Sequence, residues 1–285
     1  DIALLDSQPS KLRFGSSLQD FPGDDEFVGA NPPDVAYITY YLRERHVKGD
    51  FKLDVYDASK KLVTPLPAGK RRGINRVEWP MRLSPPKVPA GAQIEGGSIF
   101  GPLVPEGTYT VKLLKDGKEI VGTVTLVGDP SLSHSPKDRL LQQQTAMKLY
   151  QSLELLGFVG ASVKDLRDQI DERLKGLKSD DPVARNLTAF SQRLDAFYQT
   201  LVATKEGRIT GEVQLRERLG ELYGDVSGYA GRPTPTQLER GSVLEAEVNA
   251  ANAAFGTIST VELKAINDTL AAKGLKPLTP LTKED

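Results

Sequence analysis

The stretch Pro136–Leu177, PKDRLLQQQTAMKLYQSLELLGFVGASVKDLRDQIDERLKGL, decides the reading of this chain. Leu156, Val159, Val163, Leu166, Ile170, Leu174 and Leu177 recur at steps of three and four. Leu141, Thr145, Leu149 and Leu153 continue the same stripe upstream. That spacing draws one apolar face down an α-helix. Lys164, Asp165, Arg167, Asp168, Asp171, Glu172 and Arg173 fill the solvated face between. Ser135 stands as N-cap, Pro136 at the first helical position and Asp138 in the first turn. At 1.5 Å per residue the element spans about 60 Å. A helix this long needs neighbours to cover its stripe. Gly157 and Gly160 lie mid-helix, where each costs roughly 1 kcal/mol relative to Ala, and they predict a kink or a close helix approach.

The residues that follow supply the cover. Val183, Leu187, Phe190, Leu194, Phe197 and Leu201 predict a second helix opening at Asp181-Pro182. Leu215, Leu219, Leu222, Val226 and Tyr229 predict a third from about Thr210. Thr234-Pro235-Thr236-Gln237 is a capping box that opens a fourth, with Leu238, Leu244, Val248 and Phe255. A second box, Ser259–Glu262, predicts a break before Leu263, Ile266 and Leu270, and Gly274 a stop. The simplest packing lays the second and third helices antiparallel along the first, with the fourth returning.

Upstream the period changes to two. Asp34–Leu42, Phe51–Tyr56, Leu62-Val63 and Gly73–Trp79 read as short strands, with Asn75, Val77 and Trp79 on one face. Gly107–Lys115 and Glu119–Val127 pair across Asp116-Gly117, a strong hairpin signal. Residues 80–105 carry many Pro and Gly and predict a long loop, with a short strand near Ile99-Phe100. Residues 1–30 read as an irregular linker from a preceding domain, with Ile2–Leu5 as the tail of a strand. Asp20, Asp24, Asp25 and Glu26 lack the alternation of an EF-hand loop and read as solvated. The expected fold is therefore α+β and multidomain. An antiparallel, immunoglobulin-like β-sandwich over 31–130 is followed by an up-down bundle of three to four helices over 131–285.

Particular residues carry a resemblance. Val55–Val63, Gly73-x-Asn75-x-Val77-x-Trp79 and Pro105-Glu-Gly107-Thr-Tyr109-Thr-Val are similar to the immunoglobulin/fibronectin-like module of flagellar hook-cap and other bacterial extracytoplasmic proteins. With Asn31-Pro32-Pro33, Ile38–Leu42 and the helical tail, they resemble the C-terminal region of bacterial sortilin-like propeller proteins with Asp-box (BNR) repeats, often labelled glycosyl hydrolases. In that family the propeller comes first, and Asp1–Leu4 resembles the exit from its last blade. The resemblance implies an extracytoplasmic location and an N-terminal propeller of the same polypeptide as partner. The chain opens at Asp1 without an initiator Met, as a segment of something longer would. Trp79-Pro80 departs from the Trp-Asp of many relatives, and the Asp-box repeats themselves are absent, so no glycosidase activity carries over.

Composition narrows the function classes. A formal net charge of -1 gives nucleic-acid binding no electrostatic support. No apolar run has the length of a membrane span. The absence of cysteine excludes disulfides and thiol chemistry. His46 and His134 sit in different segments, have no ligand spacing and read as surface residues. Gly91, Gly96 and Gly97 lack the Lys-Ser/Thr of a phosphate loop and fit a flexible loop. No nucleophile elbow, catalytic triad, cofactor motif or metal set is present. The candidate site is instead an interaction surface: Tyr37, Tyr40 and Tyr41 on one strand, with Arg71 and Arg72 in the turn before Gly73. Three readings follow. The first is a non-catalytic accessory and protein-interaction module, which would also meet other proteins through the helical bundle. The second is part of a glycan- or peptide-active enzyme whose chemistry lies in the propeller. The third is a coiled-coil oligomerisation module.

Overall fold

The computed structural model describes residues 1–14, 29, 33–93, 95–131, 133–207 and 211–282. The chain is α+β and divides into two units, each with its own apolar core. The strand-rich unit comprises 1–84, 100–143 and 227–232; the helical unit comprises 85–99, 144–226 and 233–285.

The strand-rich unit holds two sheets. One is three-stranded, in the order β1 (Ile2–Leu4), β3 (Ala36–Leu42), β6 (Gly73–Trp79). The other is five-stranded and curled, in the order β2 (Ser10–Leu12), β8 (Lys118–Gly128), β7 (Gly107–Lys115), β4 (Phe51–Tyr56), β5 (Leu62–Leu66). Period-two alternation sends Ala36, Ile38, Tyr40 and Leu42 inward from β3, and Asn75, Val77 and Trp79 inward from β6. All of these but Asn75 share one cluster with Leu53, Val55, Val111, Leu113 and Val124 of the second sheet. Trp79 is fully buried and meets Tyr109 edge-on at 5.1 Å. The β7–β8 hairpin turns where expected. Asp116 and Gly117 both take positive φ, 49° and 80°, as a two-residue hairpin turn requires.

Four expectations for residues 1–130 are corrected. The first residues are not an irregular linker. β1 pairs antiparallel with β3, and β2 pairs with β8. The β2–β8 pairing is parallel, so the second sheet is not purely antiparallel. Three-residue strands are too short to show a period. Near Ile99-Phe100 there is a 3₁₀ turn, Gly97–Ile99, rather than a strand, and the local pairing is a single bridge between Arg82 and Leu103. His46 is buried, not exposed. Its ring lies 5.1 Å from the Phe51 ring, with Nδ1 3.7 Å from Asp116 Oδ2. The acidic group Asp20–Glu26 and Asn31-Pro32 lie outside the described residues.

In the helical unit, α1 (Pro136–Leu174) is one uninterrupted helix of 39 residues, ending three residues before the expected Leu177. Its first eight residues group with the strand-rich unit and the rest with the helices. Ser135 caps it, with the Asp138 amide donating to its Oγ at 3.1 Å. Leu149, Leu153, Leu156, Val159, Val163, Leu166 and Ile170 are buried in one cluster with α2 (Pro182–Tyr198), α3 (Leu215–Ser227), α4 (Pro235–Thr257) and α5 (Leu263–Ala272). Thr234 and Gln237 form the expected capping box. Tyr229 falls beyond α3 and is exposed, which corrects its place in the third helix.

The two glycines of α1 mark an approach, but not by a helix. A Cβ on Gly157 would stand 2.2 Å from Lys87 O, and one on Gly160 2.7 Å from Pro89 Cβ. The segment 85–93 therefore lies directly on α1, and the missing side chains are what admit its backbone. The glycine-rich loop is correspondingly fastened rather than flexible. Arg216, on α3 and 4% exposed, donates to Pro89 O at 3.0 Å and Gln93 O at 2.5 Å.

The break expected at Ser259–Glu262 does not occur. A π turn, Ile258–Glu262, joins α4 to α5, and no side chain caps α5. At about 100° per residue, Leu263 and Leu270 would fall roughly 90° off the stripe of Leu244, Val248, Phe255 and Ile258. A π turn absorbs about one residue of rotation, which returns both leucines to the core side, where they are buried. Deleting exposed Val261 is therefore expected to convert the turn to regular α-helix and keep the helix folded. Far-UV circular dichroism and a melting temperature within a few degrees of the parent would show it, whereas deleting Ala254 would throw the stripe out of phase and lower stability sharply.

Candidate functional site

The outward face of the three-stranded sheet is where the predicted surface residues meet. Register places Ala3, Tyr41 and Ile74 in one row across β1, β3 and β6. Thr39 and Arg76 form the next row, joined by Leu5, whose amide donates to Thr39 O at 2.9 Å. Tyr37 and Glu78 form the third. Leu5, Tyr41 and Ile74 are 42%, 41% and 71% exposed, so a contiguous apolar and aromatic strip faces solvent. The Arg76 guanidinium carbon stacks 3.4 Å from the Tyr37 ring centroid.

Tyr40 does not belong to this surface. Its parity with Ile38 and Leu42 turns it into the core, fully buried, and its hydroxyl donates to Gly69 O at 2.5 Å. Burial pushes its phenol up to about 12, opposed by that hydrogen bond. Tyr109 is also pushed up to about 12, first by burial and then by the Asp57 charge, and donates to Pro105 O at 2.7 Å. Both phenols stay neutral packing elements.

Arg71 and Arg72 are exposed, and among the described residues neither side chain has a partner. Buried Asn75 fixes the turn that carries them. Its Oδ1 accepts from the Arg71 amide at 3.2 Å, and its Nδ2 donates to Arg71 O at 2.7 Å and Gly73 O at 3.2 Å. The side chain of the Gly-x-Asn pattern thus holds two free guanidinium groups at the head of β6. Sequence reasoning missed Leu5 and Ile74. Their alternation with Leu4 and Asn75 was the signal available.

Each unit also has a concavity among its described residues. About 220 Å³ in the strand-rich unit is lined by Leu12, Phe14, Val104 and Leu140, with Arg139 paired to Glu106. About 480 Å³ in the helical unit is lined by Tyr198, Lys164 and Arg167. There Arg167 pairs with Asp195 at 2.9 Å and Lys164 with Asp168 at 2.6 Å. Their charges are matched internally. Among the described residues no three His, Asp or Glu side chains gather as a metal set, and no helix is long and apolar enough to cross a membrane.

Comparison with family models, curated proteins and solved structures found nothing that matches this chain.

Proposed function

We propose that this chain is a non-catalytic accessory module that docks to protein through the outer face of β1, β3 and β6. The observation that carries the reading is the row Ala3–Tyr41–Ile74 with Leu5 beside it: apolar, exposed and bordered by unpaired Arg71 and Arg72. A face of this kind matches protein interfaces, in which aromatic and Arg side chains are enriched. The resemblance in Gly73-x-Asn75-x-Val77-x-Trp79 and Pro105-x-Gly107-x-Tyr109 supports a variant immunoglobulin/fibronectin-like sandwich. The shared core of the helices supports an up-down bundle. On the same resemblance the docked protein is a preceding Asp-box propeller, and the setting is extracytoplasmic.

The double substitution Tyr41→Ser/Ile74→Ser is expected to leave the melting temperature within a few degrees of the parent. It should weaken association with the preceding region, supplied as a separate chain, by about tenfold or more. Unchanged affinity in calorimetric titration would remove this face from the interaction. A reading frame without S-x-D-x-G-x-x-W repeats upstream of Asp1 would remove the propeller.

A further inference from the structure

The free edge of β6 goes further than the face beside it. Among the described residues, β6 pairs with β3 along one side only, and none of residues 74–78 has another backbone partner. Such an edge is a row of unsatisfied N–H and C=O groups, which native sheets ordinarily blunt. The other edge strands here are blunted. β1 and β2 are three residues long. β5 carries Pro65, and its pairing with β4 slips at Val55–Tyr56. β6 is seven residues long, contains no proline and keeps unbroken register with β3 from end to end.

The side chains beside this edge define what fits it. Within β6, parity puts Ile74, Arg76 and Glu78 on the outward side, and Arg72 is exposed in the bend just before Gly73, so the run from Arg72 to Arg76 reads cation, apolar, cation. Ile74 is 71% exposed, and among the described residues the Arg72 side chain has no partner. A strand laid against β6 would set its own alternate residues opposite Ile74 and Arg76, within about 5.5 Å between Cβ atoms, and the next one along would pass beside Arg72. We infer that β6 accepts an extended segment of acid–x–apolar–x–acid pattern from a partner protein, completing the sheet by strand addition. Backbone hydrogen bonds supply the affinity, and the two acidic residues beside Arg72 and Arg76 supply the selectivity. The pattern is symmetric, so it serves either strand direction. This rests on the docking reading above and names the chemistry of its partner.

The test uses the full chain and fluorescein-labelled peptides, Thr-Glu-Thr-Val-Thr-Glu-Thr and Thr-Lys-Thr-Val-Thr-Lys-Thr, followed by anisotropy at low salt. The glutamate peptide is expected to bind roughly fivefold tighter than the lysine peptide, as two exposed charge pairs allow. Arg72→Glu/Arg76→Glu, both exposed positions, should reverse the preference. The glutamate peptide is then made with alternate amides N-methylated, in each of the two phases. One phase should abolish binding and the other preserve it, because only every second amide of an added strand faces its neighbour. Equal binding of both charge types, or no binding of either, overturns the proposal. So does indifference to both methylation phases. If Tyr41→Ser/Ile74→Ser still weakens docking to the preceding region in that last case, the face remains the docking surface and strand addition alone is wrong. Self-association of the chain that excludes the peptide and is lost in Arg72→Glu/Arg76→Glu would make a second copy the occupant, and would also overturn it.

Discussion

Leu166→Asp is expected to unfold the helical unit while Trp79 stays in its native environment. Leu166 is fully buried eight residues before the C-terminal end of α1, within the cluster that α2 to α5 share. Truncating a leucine at such a site costs about 2–5 kcal/mol. A carboxylate adds a desolvation penalty of several kcal/mol more, because the position is fully buried among apolar side chains. The sum approaches the ordinary stability of a domain, about 5–15 kcal/mol. The chain provides its own reporter. Its only tryptophan, Trp79, is buried in the strand-rich cluster, which shares no residue with the helical one. Ellipticity at 222 nm should collapse, while tryptophan emission stays blue-shifted and melts in a separate transition. A red shift of Trp79 in step with the loss of helix would show that the two cores are one cooperative unit.

Arg216→Met is the second large effect. The guanidinium donates to Pro89 O and Gln93 O, and its Nε donates to Glu217 Oε1 at 2.8 Å. Glu217, largely buried, also accepts from the amides of Ala203 at 3.1 Å and Gln214 at 3.2 Å. Methionine keeps the volume but strands a carboxylate and two carbonyls. The expected loss is about 3–5 kcal/mol, the usual consequence of breaking a buried pair from one side. It should be local at first. Ala92, whose amide donates to Ala203 O at 3.1 Å, should lose hydrogen-exchange protection ahead of α1. Adding Glu217→Leu removes that charge but also leaves the Ala203 and Gln214 amides without their acceptor, and the combined loss should fall short of the sum of the two single losses, because the Arg216–Glu217 pair can be lost only once. Strict additivity of the two substitutions would mean that Arg216 and Glu217 are not coupled, and unchanged protection of Ala92 in Arg216→Met would mean that Arg216 does not hold the 85–93 segment.

Much of the architecture could be read from residue order, because periodicity reports burial directly. Leu149 to Ile170 at steps of three and four, and Ile38, Tyr40 and Leu42 at steps of two, each mark a face that the structure buries. The same alternation already turned Tyr40 inward and Tyr41 outward, so only part of the tyrosine cluster was ever a surface. What stayed hidden has no period. β1 and β2 are too short to show one, and their partners are remote in sequence. The 85–93 segment is held by backbone carbonyls, which every residue has. Its one trace was the pair Gly157 and Gly160, whose cost required an approaching chain without saying which. At 259–262 the capping box misled, because Ser-x-x-Glu also occurs within a continuous helix. The phase of Leu263 and Leu270 was the better guide. The candidate site was legible in its side chains and invisible in its edge, since whether β6 has a neighbour depends on the whole sheet order.

The placement of residues 85–99 has a consequence for synthesis on the ribosome. The segment is translated between β6 and β7, yet Arg216, which anchors it, lies 127 positions after Pro89. At about 5–20 residues per second, roughly 6–25 seconds pass before the anchor exists. The nascent strand-rich half therefore emerges with a tether whose destination has not been made. The β7–β8 hairpin, joined by a two-residue turn, closes without waiting for it. Pro85, Pro86 and Pro89 keep the waiting tether from pairing as a strand.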